Sequence, residues 1–166
     1  VDKVNDPLRL TDWSANAITI LGMQGTIIAD GTPEQPNVFR PEGDDDSPAQ
    51  WEGITLGRGA VKVAKIYYAG RTAVQLNGST ADVEVAYNEI RYFFWVGIDS
   101  HKPNVWIHDN VLEGGGHQSI SAHENNIVEH NVIYNAETGI STESDGAIVR
   151  NNIIVDSARG IELRYG

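Results

Sequence analysis

The sequence contains no cysteine, only one methionine and no run of apolar residues long enough to cross a lipid bilayer. Without cysteine, the chain has no disulfide bonds, no thiolate metal ligands and no cysteine nucleophile. A membrane-spanning helix needs about 20 consecutive apolar residues, and no segment provides them. These absences predict a soluble protein.

Basic residues are also scarce. The 166 residues include 12 Lys and Arg against 23 Asp and Glu, which gives a formal net charge of −11. Such a charge repels nucleic-acid phosphates and anionic membrane surfaces, so neither is expected as a partner. The length suits one domain with a single core.

What the sequence does contain is an internal repeat of 21 to 22 residues. Four segments share the pattern Asn-x-(Ile/Leu), beginning at Asn88, Asn110, Asn131 and Asn152. A β-branched residue three positions before each Asn and an Ile nine or ten positions after it keep the same register. Leucine-rich repeats have this length but need a leucine pattern that is missing here. The period therefore predicts an all-β, right-handed parallel β-helix, a solenoid of about six coils with three short strands each.

The repeated Asn is expected at an inward corner, where stacked amides hydrogen-bond along the helix axis. We expect one β-helix domain over residues 1–166, with regular repeats over residues 51–166. Residues 1–50 would supply N-terminal coils, with strands at Ala17–Ile20 and Thr26–Ile28 and a long acidic, proline-containing loop over residues 30–50. No cofactor is expected, although the run Asp44–Asp46 in that loop leaves Ca²⁺ as an alternative.

The alternation of side chains along each strand predicts which residues face solvent. The strand that carries Ile98, and its relatives in the other coils, should expose a uniformly polar face. Its two outward columns are Thr55, Gln75, Asp99, Ser121, Ser141 and Glu162, followed by Gly57, Asn77, His101, His123, Glu143 and Arg164. The other strands place residues such as Trp106, Val111 and Val132 outward. These apolar faces predict either a covering N-terminal segment, a partner domain or a homodimer contact.

Four successive aromatic residues, Tyr92-Phe93-Phe94-Trp95, directly precede the strand of Asp99. The core is expected to bury Phe93 and Phe94, and at least one of Tyr92 and Trp95 should lie beside the polar face. Sugars stack their C–H faces on such rings while their hydroxyls bind polar side chains. This pattern predicts a carbohydrate-binding surface, with the rings merely closing the coil as the alternative. The surface comprises Gln75, Asn77, Tyr92, Trp95, Asp99, His101, His123 and Glu143.

Catalytic and metal-binding chemistry has weaker support in the sequence. His101, His123 and Glu143 lie on three successive rungs, and two imidazoles with a carboxylate can bind a divalent metal. A solvated polar ladder is the favoured interpretation. Asp99 and Glu143 are two coils apart, about 9.6 Å at the backbone, near the carboxyl separation of inverting glycosidases. No nucleophile elbow, phosphate loop or His-Glu-x-x-His motif occurs, so neither catalytic nor metal-binding residues are predicted.

The segment Gly97-Ile98-Asp99-Ser100-His101, followed by Asn104-Val105-Trp106-Ile107, resembles the pectate-lyase-like β-helix superfamily. The likeness covers about residues 51–166. In the hydrolase branch, catalytic carboxylates come from an Asn-Thr-Asp motif before Gly-Ile-Asp and from Gly-Asp-Asp in the next coil. Here those positions hold Phe94-Trp95-Val96 and Gly114-Gly115-Gly116. The resemblance therefore implies the fold without that catalytic apparatus.

The short chain and open polar face look like the small β-helical carbohydrate-binding modules of secreted bacterial enzymes that degrade plant cell walls, including xylanases. This likeness implies a non-catalytic extracellular module, joined to a catalytic domain in a longer chain. The net charge favours a neutral ligand such as xylan over pectate. Two alternatives remain. One is a polysaccharide lyase or glycoside hydrolase that uses Asp99, His123 and Glu143, and the other is a structural or adhesin-like solenoid segment.

Overall fold

A computed structural model describes residues 8–10, 19–41, 51–78 and 83–164. The described residues form strands, turns and bends, and no helix among them could span a membrane. The strands are β1 (Leu8–Leu10), β2 (Thr19–Asp30), β3 (Asn37–Pro41), β4 (Gly53–Lys62), β5 (Ala64–Tyr67), β6 (Thr72–Leu76), β7 (Val83–Ala86), β8 (Glu89–Arg91), β9 (Val96–Ser100), β10 (Trp106–His108), β11 (Val111–Glu113), β12 (Gln118–Ala122), β13 (Ile127–Glu129), β14 (Val132–Tyr134), β15 (Thr138–Thr142), β16 (Ile148–Arg150), β17 (Ile153–Val155) and β18 (Arg159–Leu163).

These strands wind into a parallel β-helix with three faces. The polar face contains β6, β9, β12, β15 and β18, the tryptophan face contains β7, β10, β13 and β16, and the valine face contains β5, β8, β11, β14 and β17. The long strand β4 passes from one face to the next. Its residues 54–56 pair with β6 on the polar face, and its residues 59–62 pair with β7 on the tryptophan face.

From β2 onward each coil visits the polar, tryptophan and valine faces in that order, and β18 begins a further coil after six. The prediction of about six coils with three strands each is confirmed. The register also follows the sequence columns, since Ile98 pairs with Ile120 and Ile120 with Ile140. All three are fully buried, so this column lies in the core.

The interior is a continuous stack of mainly aliphatic side chains contributed by all three faces. Its members lie at repeated positions, such as Val85 and Ile107 on the tryptophan face. The stack is tight where strands enter the polar face. A Cβ added to Gly97 would lie 2.7 Å from a methyl carbon of Leu112 and 2.6 Å from the carbonyl oxygen of Ser119. Close packing at this corner therefore leaves room only for glycine unless the neighbouring atoms shift.

The repeated asparagines form a buried ladder between the tryptophan and valine faces. The Nδ2 of Asn88 donates to Oδ1 of Asn110 at 2.9 Å, Asn110 donates likewise to Asn131, and Asn131 to Asn152 at 3.0 Å. The residue directly before each ladder asparagine has a positive φ, which turns the chain at that corner. The predicted stack of inward amides is therefore confirmed.

The N-terminal half departs from the expected loop. Residues 37–41, inside the predicted 30–50 excursion, form β3, whose residues 37–39 pair with β5. The reason is that Phe39 packs against the core cluster and so continues the valine face by another rung. Thr26–Ile28 lie in β2 as predicted, whereas Ala17, Ile18 and the run Asp44–Asp46 lie outside the described residues.

Candidate functional site

The two predicted polar columns lie side by side on the polar face. Gln75, Asp99, Ser121 and Ser141 are successive pairing partners across four strands. Asn77, His101, His123, Glu143 and Arg164 stand two residues further along, just beyond the strand ends. Backbone bonds continue the ladder there, for example from His101 N to Leu76 O at 2.9 Å and from Glu143 N to Ala122 O at 3.0 Å. The face therefore presents two parallel rows of side chains along the helix axis.

Three residues of the first column are less open than alternation predicts, since Thr55, Ser121 and Ser141 are buried. Ser141 is covered by the longer side chain of Gln118. With its amide oxygen facing Arg164, Gln118 donates to Ser141 Oγ at 2.9 Å and accepts from the guanidinium at 2.6 Å. The accessible part of the column is thus reduced to Gln75, Asp99 and Glu162, each of which is partly exposed.

A chain of polar contacts runs along the face from Asp99 toward the last coil. The Nε2 of His101 lies 2.9 Å from Oδ2 of Asp99, and the His101 and His123 rings are 5.0 Å apart. The Nε2 of His123 lies 3.5 Å from Glu143 Oε2, and Glu143 lies 3.9 Å from the Arg164 guanidinium. Adjacent coils therefore hold acids and bases in contact.

Two buried residues support this chain from beneath. Asn126 is fully buried, accepts a hydrogen bond from His123 N at 3.0 Å and donates to the carbonyl of Lys102 at 2.7 Å. Lys102 is also fully buried, and its ammonium donates to Gly57 O at 2.5 Å. Burial lowers the pKa of Lys102, and the nearby Arg58 lowers it further. Asn126 and Lys102 fix the turns that follow His101 and His123, and no motif marks either of them in the sequence.

An aromatic edge lies where the chain enters the polar face. Trp95 is 48% exposed, and its ring centroid lies 4.5 Å from that of His117 in the next coil. His117 Nδ1 is 3.8 Å from Glu137, which accepts from Arg159 at 3.0 Å. That bond lowers the pKa of the Glu137 carboxyl. His117, Glu137 and Arg159 were not predicted as site residues, although His117 and Glu137 each directly precede a strand of this face and Arg159 is the first residue of β18.

The four successive aromatics divide in an unexpected way. Phe93 is buried in the core as predicted, but Phe94 is exposed, so the prediction that the core buries it is wrong. Trp95 and Tyr92 are both exposed. Tyr92 follows β8 with a positive φ and stacks on Tyr68 at 5.0 Å, so it lies at the corner of the valine face. Trp95 directly precedes β9 and therefore stands beside the polar face.

The predicted site is thus largely brought together by the fold. Asp99, His101, His123 and Glu143 form one contact chain, and Gln75 continues the row toward the N-terminal coils. Trp95 directly precedes β9, at the opposite end of that strand from His101, where its ring contacts His117. Asn77 extends the second row, where its backbone N–H donates to Leu56 O at 2.9 Å. Among the described residues, no three His, Asp or Glu side chains converge as metal ligands.

Residues 53–166, most of the chain, match the family model described as right handed beta helix region. Searches among curated proteins and among solved structures gave no match. The matched segment includes all five C-terminal strands of the polar face together with Trp95.

Proposed function

The chain belongs to the right-handed β-helix family. From the side chains of its polar face we propose that this face binds an extended polysaccharide without cleaving it. The observation that carries this proposal is the double row of polar side chains, edged by exposed Trp95. Strands of successive coils are about 4.8 Å apart, so a polymer lying along the axis contacts several rungs at once. Asp99, His101 and Glu143 can hydrogen-bond to its hydroxyls, and Trp95, at the opposite end of the strands, can stack on a sugar ring that crosses the face.

The charges on this face favour a neutral ligand. Arg164 pairs with Glu162 at 2.8 Å and lies near Glu143, while Arg159 pairs with Glu137. Cations that are already matched by carboxylates have little attraction left for a uronic acid. The net charge of −11 repels an anionic polymer as a whole. Xylan is therefore our candidate ligand among plant cell-wall polysaccharides.

This proposal extends to the cellular setting. A module that holds xylan is useful to a secreted plant cell-wall-degrading enzyme, because it keeps a linked catalytic domain near its substrate and raises the local concentration. We therefore propose a secreted location and a catalytic domain in the same parent chain. Binding by hydrogen bonds and ring stacking needs no cofactor.

Affinity electrophoresis tests the proposal. The protein would be run through gels that contain xylan, pectin, β-glucan, mannan or cellulose, with and without EDTA, and released reducing ends would be assayed in the same gels. We expect retardation by xylan, unaffected by EDTA and without product. Trp95→Ala should weaken the affinity roughly two- to tenfold, the range for one aromatic contact.

His123→Ala should weaken binding as well, because it removes the middle of the contact chain. Tyr134→Ala is the control, since Tyr134 lies on the valine face and its removal should leave retardation unchanged. Normal retardation of both Trp95→Ala and His123→Ala would overturn the assignment of the polar face. Absence of retardation by every polysaccharide would overturn the binding function itself.

One observation favours a second candidate, a polysaccharide lyase. Asp99 accepts a hydrogen bond from Nε2 of the exposed His101, which leaves Nδ1 of that imidazole free to accept a proton. In a β-elimination, a base removes the proton beside the carboxyl group of a uronate, a carbon–carbon double bond forms, the glycosidic C–O bond breaks, and the leaving oxygen takes up a proton from water. Accumulation of an unsaturated product, abolished by Asp99→Asn with retardation retained, would replace the binding module by this enzyme.

A further inference from the structure

A second group of exposed aromatic rings lies on the tryptophan face, around His108. Trp106 is 45% exposed, and Tyr87 is 56% exposed. The Trp106 ring stacks on the His108 ring at 3.8 Å, and the Tyr87 ring meets it edge-on at 5.5 Å. His108 itself is buried. Two exposed rings therefore share one buried imidazole as their support.

Hydrogen bonds fix the Trp106 ring in place. Its Nε1 donates to Oε1 of Glu129 at 2.9 Å, and Oε2 of Glu129 accepts from Arg150 Nε at 2.6 Å. The Glu129 side chain is buried, so water competes little for these bonds. The indole is held by a hydrogen bond on one edge and by stacking on one face. Binding of a ligand therefore costs little side-chain conformational entropy at Trp106.

Charged groups surround the same rings. Glu84 is the pairing partner of Trp106 on the preceding coil and contacts His108 at 3.1 Å and Lys62 at 2.5 Å. A fixed aromatic plane bordered by carboxylates and an ammonium group is suited to a pyranose ring. The C–H groups of such a ring stack on the indole, and its hydroxyls hydrogen-bond to the ionic groups.

We propose that Trp106 and Tyr87 form a second saccharide-binding platform, which takes a neutral pyranose unit on the tryptophan face. The ligand class rests on the proposed function, but the site is separate from the polar face. Two platforms on one rigid coil stack make the protein bivalent. Engagement of both by a polysaccharide network raises retention beyond the affinity of either platform alone.

The indole N–H resonances in a ¹H–¹⁵N spectrum test both platforms in one titration with xylohexaose. Each resonance would be assigned from a single Trp→Phe variant. The indole of Trp51 is buried and donates to Tyr67 O at 2.9 Å, so its resonance is the internal control and should stay fixed. We expect the Trp95 and Trp106 resonances to shift with saturable, separate binding curves.

The outcomes separate the two proposals. A shift of Trp95 alone overturns the second platform and leaves the polar face as the site. A shift of Trp106 alone supports the platform and overturns the polar-face assignment, whereas unchanged spectra overturn both. Retention on insoluble xylan gives an independent readout, in which Trp106→Ala should lower affinity roughly two- to tenfold. Ile148→Ala, which trims an exposed apolar residue of the same face, is the matched control, and an equal loss there would overturn the platform.

Discussion

Replacement of Asn110 by alanine should be among the most destabilising single changes in this chain. The Oδ1 of Asn110 accepts from the N and Nδ2 of Asn88 at 3.0 and 2.9 Å. Its Nδ2 donates to Val85 O and to Asn131 Oδ1, both at 2.9 Å. Each bond contributes about 1 kcal/mol net, and the buried N–H of Asn88 would lose a partner that water cannot replace. We therefore expect the free energy of unfolding to fall by about 4 kcal/mol.

The end of the same ladder offers a matched comparison. Asn152 also makes four side-chain bonds, two with Asn131 and two with the carbonyls of Val128 and Arg150. Because Asn152 is partly exposed, water can satisfy the groups it would leave behind, and Asn152→Ala should cost only about 1–2 kcal/mol. Urea unfolding followed by circular dichroism measures both values, provided that the slope with urea is unchanged. Equal losses at the two positions would refute the argument from burial.

Two further predictions concern other parts of the fold. Gly115→Ala should lower the melting temperature clearly, by the equivalent of about 2 kcal/mol or more, because φ is +146° and an added Cβ would overlap the Phe93 ring. Gly78→Ala, at φ +103° with open space around it, isolates the backbone strain and should cost about 1 kcal/mol; a larger loss at Gly78 than at Gly115 would contradict the steric account. Stability should also fall as the pH drops below about 4.5. Burial tends to raise the pKa of Glu84, but its bonds with Lys62 and a neighbouring histidine outweigh burial, so the pKa is lowered. The ionised carboxylate therefore stabilises the folded protein at neutral pH, and this stabilisation is lost as acid protonates the carboxylate. Glu84→Gln should therefore reduce the change in unfolding free energy between pH 7 and acidic pH. An unchanged pH dependence would exclude the pair of Glu84 and Lys62 as a source of acid sensitivity.

The repeat made most of the fold predictable. A period of 21 to 22 residues is imposed by the stacking of coils, because each inward side chain must lie over its counterpart on the neighbouring coil. Asn88, Ile98 and their relatives therefore recur at positions that can be read directly from the sequence. The outward columns of the polar face follow from the same register, since alternation along a strand fixes the side on which Asp99 and Glu143 lie.

Other features depend on contacts between positions that the period does not relate. Lys102 is buried because its side chain reaches across two coils to Gly57 O. From the sequence alone, a lysine that directly follows a strand is expected to be exposed to solvent. Phe93 points into the core at that corner, and its neighbour Phe94 is therefore exposed. Residues 37–41 form a strand because Phe39 packs against the core, although the surrounding sequence has the composition of a loop. Each of these three features depends on tertiary packing, which cannot be predicted from the identity of a single residue.

The same distinction explains why the site is harder to predict than the fold. Inward positions are constrained by neighbouring coils on both sides, so their residue types repeat and reveal the architecture. Outward positions are constrained less, and exposed residues such as Trp95 and Trp106 have no tryptophan at the same place in the neighbouring coils. A β-helix thus separates stability, which resides in the repeated columns, from recognition, which depends on the exceptions to them. The exposed rings on two different faces are such exceptions, and for that reason they are the positions at which binding to a saccharide should first be tested.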